Sequence, residues 1–279
     1  MEKPLSSKYK LDFSRFDLAE LSELRTYESL SESRVQYLVS DIKSRGLVIN
    51  PLIWDSSFKL LIDGQHRARA LRCLGVKYAP VYHTEYMGCE VTVKNWYHTI
   101  LASSLIAFVK VFDSIKIPKC IKGDGLTWNI IIKGPEGLTL RCTFSDPLEA
   151  ARELHLICEK YQGLGWSIEI HPKPRPYDTK RYPAFVMFLD PAIGKEQVIG
   201  ILDSGQLFPP HVNRHLIDHR PLRLKIPLSF LMQSKAQGKS NLLKHLTQSR
   251  PILVKAGSWQ DGRFYEERVI LFSQTEGRS

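Results

Sequence analysis

The stretch LLIDGQHRARALRCLG, residues 60–75, decides how the N-terminal part of this chain folds. Its apolar start, residues 60–62, predicts a strand, and Asp63-Gly64 is typical of a tight turn. The polar and apolar residues from Gln65 onward repeat at helical spacing, and Gly75 ends the pattern. The apolar run 51–55 precedes this stretch across a polar turn. We therefore predict a β-hairpin that leads directly into a helix.

Polar side chains gather where that helix begins. A helix N-terminus presents free backbone N–H groups and the positive end of the helix dipole, so Gly64 and Gln65 can bring amides close to an anion. His66 and Arg67 add side-chain donors, and together these residues predict a phosphate site. Asp63 accepts hydrogen bonds only. It is explained equally well as a cap of the helix or as a ligand of Mg²⁺.

The remaining pattern predicts a mixed α/β fold of the α+β class. Residues 31–45 form an amphipathic helix between a serine cap and Gly46, and residues 76–86 form a strand. The pattern of polar and apolar residues changes near residue 90, which predicts two domains, 1–88 and 89–279. For the second domain we predict, in order, a helix at 95–112, a hairpin at 127–144, a helix at 146–162, strands at 184–190 and 197–203, a polar loop at 205–221, a helix at 229–248 and strands at 252–256 and 267–272.

Composition limits the classes of function. The chain has 279 residues, 43% of them hydrophobic, and a formal net charge of +10 from 39 Lys and Arg against 29 Asp and Glu. This charge fits an anionic partner, although a mildly basic soluble protein has it too. Five scattered cysteines with no Cys-x-x-Cys pair suggest neither disulfides nor zinc, as in a reducing cytoplasm. No signal peptide or membrane span is predicted.

Two tempting features are set aside. Gly238-Lys239-Ser240 resembles the end of a P-loop, but Gln233 stands where that motif needs glycine, and the surroundings look helical. Six further histidines show no metal-ligand spacing and receive no role: His83, His98, His155, His171, His219 and His245.

Residues 46–75 resemble the nucleotide-binding core of the ParB/sulfiredoxin superfamily. Gln65 stands where sulfiredoxins have their catalytic cysteine, which disfavours sulfiredoxin chemistry. His66 and the lack of a helix-turn-helix after the motif disfavour a partition protein. The form Asp-Gly-x-His-Arg is instead similar to the free L-serine kinases of this superfamily.

Three other segments carry the same resemblance. Glu28 matches the catalytic base of those kinases, although Tyr27 replaces the histidine that precedes it there. Trp96 matches the first residue of their Trp-Tyr pair. Those kinases also have a Pro-Pro-Lys-Thr/Ser-Thr-Arg-His loop. This chain has the final Arg-His of that loop, but the residues before the pair differ. The loop residues that the resemblance implies for substrate binding are His211, Asn213, Arg214 and His215, with Val212 among the departures.

The resemblance implies transfer of a phosphoryl group from ATP or ADP to the hydroxyl of free L-serine, in the cytoplasm. Glu28 and Asp63 would be catalytic, residues 64–67 would bind the nucleotide phosphates, and Mg²⁺ would be the metal, with Asp63 as its candidate ligand. The second domain would complete the amino-acid site. Mg²⁺, a nucleotide and an amino acid are thus the expected ligands. An alcohol gains from a carboxylate that accepts its proton, which is the role expected for Glu28.

Alternatives stay open at this point. Glu28 could be an exposed glutamate near a helix N-terminus, Trp96 a core residue, and Arg214 with His215 part of a surface loop held by its own salt links. A ParB-like regulator that binds nucleotide and DNA is the alternative function, favoured by the net charge and the basic segment 173–181. The sequence does not predict the oligomeric state.

Overall fold

The computed structural model describes residues 11–115, 126–173 and 183–274. Their contacts divide the chain into two compact units. The first contains the described residues of Met1–Thr92 and His215–Ser279, and the second is Val93–Arg214. This differs from the predicted division into 1–88 and 89–279, because the C-terminal residues pack with the N-terminal ones. Most of the basic segment 173–181 lies outside the described residues.

Helices and strands alternate along the described chain, which confirms the mixed α/β class. The helices are α1 (Glu32–Arg45), α2 (Gln65–Cys73), α3 (Leu105–Ser114), α4 (Pro147–Gly163), α5 (Lys195–Ser204), α6 (Leu228–Leu231) and α7 (Lys235–Thr247). The strands are β1 (Phe16–Glu20), β2 (Leu47–Val48), β3 (Leu52–Asp55), β4 (Leu60–Asp63), β5 (Tyr78–His83), β6 (Val91–Asn95), β7 (Tyr97–Leu101), β8 (Trp128–Lys133), β9 (Thr139–Phe144), β10 (Ser167–His171), β11 (Ala184–Asp190), β12 (Asn213–Ile217), β13 (Arg220–Leu222), β14 (Ile226–Pro227), β15 (Ser249–Val254), β16 (Ser258–Gln260), β17 (Arg263–Tyr265) and β18 (Val269–Gln274). No helix in the described ranges has the length and apolar character of a membrane span.

The first unit is built on a four-stranded sheet in the order β1-β5-β3-β4. The antiparallel pair β3 and β4 confirms the predicted hairpin. The carboxylate of Asp55 closes its turn, because Oδ1 accepts from the backbone N–H groups of Ser57 and Phe58. β3 and β4 are buried along almost their whole length, so this sheet is a rigid support for α2.

Both helices predicted for the N-terminal part of this unit form where expected. Ser31 caps α1 by accepting from the N–H of Arg34, and Gly46 ends it in the left-handed conformation at φ 64°. α2 follows β4 after the single residue Gly64. The first unit also contains the sheet β13-β18-β15 and the hairpin β16-β17, both formed by the C-terminal part of the chain.

The second unit has a five-stranded antiparallel sheet in the order β10-β7-β11-β8-β9, onto which α4 packs. The hairpin β8-β9, strand β11 and helix α4 confirm the sequence predictions. Two predictions are wrong. Instead of the expected helix 95–112, the chain forms the strand β7 and then α3, which begins after the N-cap Ser104. The expected strand 197–203 is helical, since Val198, Ile201 and Leu202 are buried at helical spacing in α5.

Two further corrections concern the C-terminal part. The predicted helix 229–248 is broken into α6 and α7, with Ser234 capping the second helix. The predicted polar loop 205–221 contains β12, in which all five residues are buried. Gly238 lies inside α7, where a side chain would meet the carbonyl oxygen of Phe230 at 2.4 Å. This helical setting agrees with our rejection of a P-loop.

Candidate active site

The first unit holds the helix N-terminus that the sequence predicts as a phosphate site. Gly64 is the N-cap of α2 at φ 98°, and no side chain caps this end. Asp63 therefore does not serve as the cap, which removes one of its two explanations. A Cβ on Gly64 would lie 2.6 Å from Leu52 Cδ2 and 2.7 Å from Arg67 Nη2. Only glycine fits both the conformation and the space at this position.

The side chains of Gln65 and His66 reach back to the segment 28–31. Gln65 Oε1 accepts from the backbone N–H of Glu28 at 3.3 Å, and His66 Nε2 accepts from the backbone N–H of Ser31 at 3.1 Å. Gln65 is buried and Glu28 is half-buried. The two motif side chains thus fix the segment that carries Glu28 beside the start of α2. Their predicted contact with phosphate stays a prediction.

The hydrogen bond from Ser31 also fixes the protonation of His66. An Nε2 atom that accepts carries no proton, so the imidazole is neutral with its hydrogen on Nδ1. Burial lowers the pKa of His66, and the neighbouring charges of Arg34 and Arg67 lower it further. At neutral pH the ring therefore acts as an anchor for Ser31 and contributes no positive charge.

We expect Gln65→Leu to slow turnover about tenfold while nucleotide affinity stays within about twofold. Leucine is similar in size but cannot accept from the Glu28 N–H, so this part-buried hydrogen bond is lost. A loss of about 1.4 kcal/mol corresponds to a factor of ten in rate. Steady-state kinetics and nucleotide titration measure the two quantities. Gln237→Leu, on the exposed surface of α7, is the control. Wild-type turnover in Gln65→Leu would contradict the anchoring role.

Asp63 lies in an ion-pair network. Its Oδ2 atom accepts from Arg220 Nη1 at 2.7 Å and from Arg67 Nη2 at 3.2 Å. Burial alone would raise the pKa of Asp63, but the charges of Arg220, Arg67 and Arg263 outweigh it and hold that pKa well below its usual range. The carboxylate is therefore ionised and balanced by guanidinium groups.

These contacts occupy the Oδ2 atom of Asp63, the residue that the sequence predicts as a Mg²⁺ ligand. A cation at Oδ2 would have to displace two arginines and approach their positive charges. Within the described ranges, no group of three His, Cys, Asp or Glu side chains forms a metal site. Asp63 is thus explained as the partner of Arg67 and Arg220, and its predicted roles in catalysis and metal binding gain no support.

His215 lies between two tyrosines in the first unit. Its Nδ1 atom is 3.1 Å from Tyr27 Oη and its Nε2 atom is 2.9 Å from Tyr86 Oη. All three side chains are buried. Burial raises the pKa of Tyr27 well above its usual value, and the adjacent negative charge of Glu28 raises it further. His215 therefore orients the residue next to Glu28, whereas the sequence predicts a contact with substrate.

The other predicted substrate residues meet in the second unit. The indole Nε1 of Trp96 donates to the backbone oxygen of Asn213 at 3.1 Å, across 117 residues of sequence. The ring of Trp96 also lies edge-on to His211, with centroids 6.2 Å apart, and the guanidinium carbon of Arg214 is 5.5 Å from its centre. Asn213 Nδ2 is buried with no hydrogen-bond partner among the described residues. This cluster offers an aromatic wall and amide and guanidinium donors.

A histidine that sequence reasoning left without a role supports this cluster. His98 Nε2 lies 3.1 Å from the backbone oxygen of His211, and its Nδ1 atom lies 3.6 Å from Cys158 Sγ. The carbonyl can only accept, so Nε2 donates and Nδ1 accepts from the thiol. Burial lowers the pKa of His98 to about 4 and raises the pKa of Cys158 to about 12. A neutral pair thus anchors His211, which adopts a left-handed conformation at φ 60°.

The stability of the protein should fall as the pH drops from 6.5 to 4, and His98 should account for part of this fall. An unfolded histidine titrates near 6.5, so between these pH values the unfolded state binds more protons. The contribution of His98 to the free energy of unfolding is complete above pH 6.5 and is lost toward pH 4. It amounts to about 3 kcal/mol.

Denaturant unfolding at both pH values checks this prediction. The variant His98→Gln should show a loss smaller by about 3 kcal/mol than the wild type. His155→Gln, on α4, should behave as the wild type does. An unchanged loss in His98→Gln would contradict the assignment.

Several site residues were missed by sequence reasoning. The tyrosine partners of His215, the buried Arg220 and the anchor His98 all act through contacts distant in sequence. Arg220, for instance, bonds to Asp63 across 157 residues. The only local signal was the presence of polar residues in apolar strands, as at His98 in β7 and Arg220 in β13.

The chain is similar to several known proteins. No protein-family model matches the chain. The chain is 22% identical to the ADP-dependent L-serine kinase SerK of Thermococcus kodakarensis, over 80% of this chain and 97% of that protein. It is 26% identical to an ATP-dependent L-serine kinase of Staphylothermus marinus, over 77% of this chain and 90% of that protein.

Solved structures share the fold. SbnI with a C-terminal truncation, from Staphylococcus aureus, matches with a TM-score of 0.65 at 16% identity, over 84% of this chain and 96% of that one. A free serine kinase in complex with AMP matches with a TM-score of 0.61 at 17% identity, over 78% of this chain and 93% of that one. The chain has the fold of these proteins.

Proposed function

We propose that this protein is a small-molecule kinase that transfers a phosphoryl group from ATP or ADP to the hydroxyl of free L-serine, giving O-phospho-L-serine. We also place it, on its Asp-Gly-Gln-His-Arg motif, in the ParB/sulfiredoxin superfamily. The observation that carries the proposal is the hydrogen bond from Glu28 N–H to Gln65 Oε1, because it joins a candidate base to the N-terminus of α2. The names of the relatives include both an ADP-dependent and an ATP-dependent enzyme.

The chemistry follows from these groups. The serine oxygen forms a bond to the terminal phosphorus of the nucleotide while the bond from that phosphorus to the nucleotide oxygen breaks. The hydroxyl proton passes to the carboxylate of Glu28. Amides at the start of α2, together with Arg67, stabilise the charge on the phosphoryl and leaving oxygens. The reaction needs no covalent intermediate on the protein.

The second cluster suits an amino-acid acceptor. The guanidinium of Arg214 matches a carboxylate, and the unpartnered Nδ2 of Asn213 is a further donor. Trp96 supplies an apolar wall that excludes water. The serine-kinase loop that this segment resembles has lysine and threonine before its Arg-His pair. This chain has His211, Val212 and Asn213 there, so a close analogue of serine is a second acceptor to test.

Incubation with Mg²⁺, ATP or ADP and a panel of hydroxy amino acids, followed by mass spectrometry of the products, tests the proposal. We expect phosphorylation of L-serine with at least one donor and weaker or no phosphorylation of threonine and homoserine. No phosphorylated amino acid with either donor would overturn it. A DNA mobility shift at physiological salt in that case would favour the nucleotide- and DNA-binding regulator.

A further inference from the structure

A small pocket in the first unit is lined by three arginines. Its volume is about 20 Å³, and its polar lining comes from Asn50, Asp63, Arg67, Arg220, Arg263 and Tyr265. Arg67 belongs to the motif at the start of α2, whereas Arg263 begins strand β17 near the C-terminus of the chain. The pocket thus combines the predicted phosphate motif with a residue to which the sequence analysis gave no role.

Positive charge exceeds negative charge in this lining. Asp63 is its one carboxylate, and Arg67 and Arg220 already share that group. Glu267 pairs with Arg220 Nε at 3.3 Å but does not line the pocket. Arg263 has no ion pair within the described residues, and burial followed by repulsion from Arg220 lowers its pKa. An anion in the pocket would relieve this excess.

Donors in the pocket remain unused. Arg67 Nε is buried with no hydrogen-bond partner among the described residues. The guanidinium of Arg263 lies over the ring of Tyr265, with 4.9 Å between its carbon and the ring centre, and this stacking leaves its N–H groups to bind an acceptor. A buried donor without an acceptor costs about 1–3 kcal/mol, which a ligand would recover.

The hairpin that carries Arg263 is held in place. Its turn contains Asp261, which forms an ion pair with Arg223 at 2.9 Å, and Arg223 also donates to Gln260 Oε1 at 3.1 Å. On the other side, Arg67 lies against Gly64, so the pocket adjoins the N-terminus of α2. Both guanidinium groups therefore start from fixed positions.

We propose that this pocket is an oxyanion site that binds one phosphate group through Arg67 and Arg263. Guanidinium groups present paired donors that match the oxygens of a phosphate. The group can come from a nucleotide or from free inorganic phosphate, because the same donors suit both. The site is defined by binding alone and does not require the kinase function.

Calorimetric titration of the protein with inorganic phosphate tests the proposal. We expect Arg263→Gln to weaken phosphate binding at least tenfold and Arg263→Lys to weaken it less, since lysine keeps the charge but not the paired donors. Arg250→Gln, exposed on β15, is the matched control and should bind as the wild type does. Circular dichroism establishes that each variant is folded.

The source of the phosphate is assigned by repeating the titration with saturating ADP. Loss of phosphate binding supports the site and assigns it to the nucleotide phosphates, whereas retained binding supports it as a site for a free anion. Equal affinity in the wild type and Arg263→Gln, or no phosphate binding to the wild type, overturns the proposal. Kinase activity without phosphate binding would leave the proposed function standing and reject this site.

Discussion

Replacing Glu28 by glutamine is expected to reduce phosphoryl transfer by a factor of about 10²–10⁴ while nucleotide binding stays intact. Glutamine has the same shape but cannot take the proton of the serine hydroxyl. The backbone N–H of Glu28 would still donate to Gln65, so the segment keeps its position. The readouts are the turnover rate with L-serine and the dissociation constant of the nucleotide.

Glu32→Gln is the matched control for this variant. Glu32 is an exposed glutamate in the first turn of α1, four residues further along the chain. If Glu28 were merely a charge near a helix N-terminus, the two variants would lose activity equally and slightly. A wild-type rate in Glu28→Gln would remove Glu28 as the base, and a parallel loss of nucleotide affinity would indicate a structural defect.

Replacing Gly64 by alanine is expected to destabilise the first unit by about 2–5 kcal/mol and to weaken nucleotide binding. The φ of 98° is strained for any residue with a side chain, at a cost of about 1–2 kcal/mol. The new Cβ would also press on Leu52 Cδ2 and on the guanidinium of Arg67, which adds about 1–3 kcal/mol. Denaturant unfolding and nucleotide titration measure the two effects.

Gly75→Ala separates backbone strain from crowding. Gly75 has a φ of 70°, and a Cβ there would meet no atom within 4 Å. The control should therefore lose about 1–2 kcal/mol and keep its nucleotide affinity. Equal losses of stability and affinity in both variants would show that crowding against Arg67 has no effect on the site.

The strand, turn and helix of residues 60–75 were predictable because each local signal favours the same structure. Local signals likewise determine α1: its apolar residues repeat at helical spacing, Ser31 caps its start and Gly46 ends it. The stretches 95–112 and 197–203 were misassigned, since short apolar runs suit a strand and a buried helix equally. Tertiary packing decides between them.

Part of the site was also predictable from the sequence. The motif 63–67, Glu28 and the approach of Trp96 to the loop at 211–214 could be proposed from resemblance. The partners of those residues could not, because the sequence does not show which distant side chains meet. The pairing of Asp63 with Arg220, for instance, is revealed only by the folded structure.

Phosphorylation of free L-serine is tested by ³¹P nuclear magnetic resonance of the wild-type protein with L-serine and either ADP or ATP. We expect a new phosphomonoester signal identical to that of O-phospho-L-serine, with an equal amount of AMP or ADP formed and no signal with Glu28→Gln. Nucleotide that stays intact, or is hydrolysed to inorganic phosphate without phosphoserine, would contradict it.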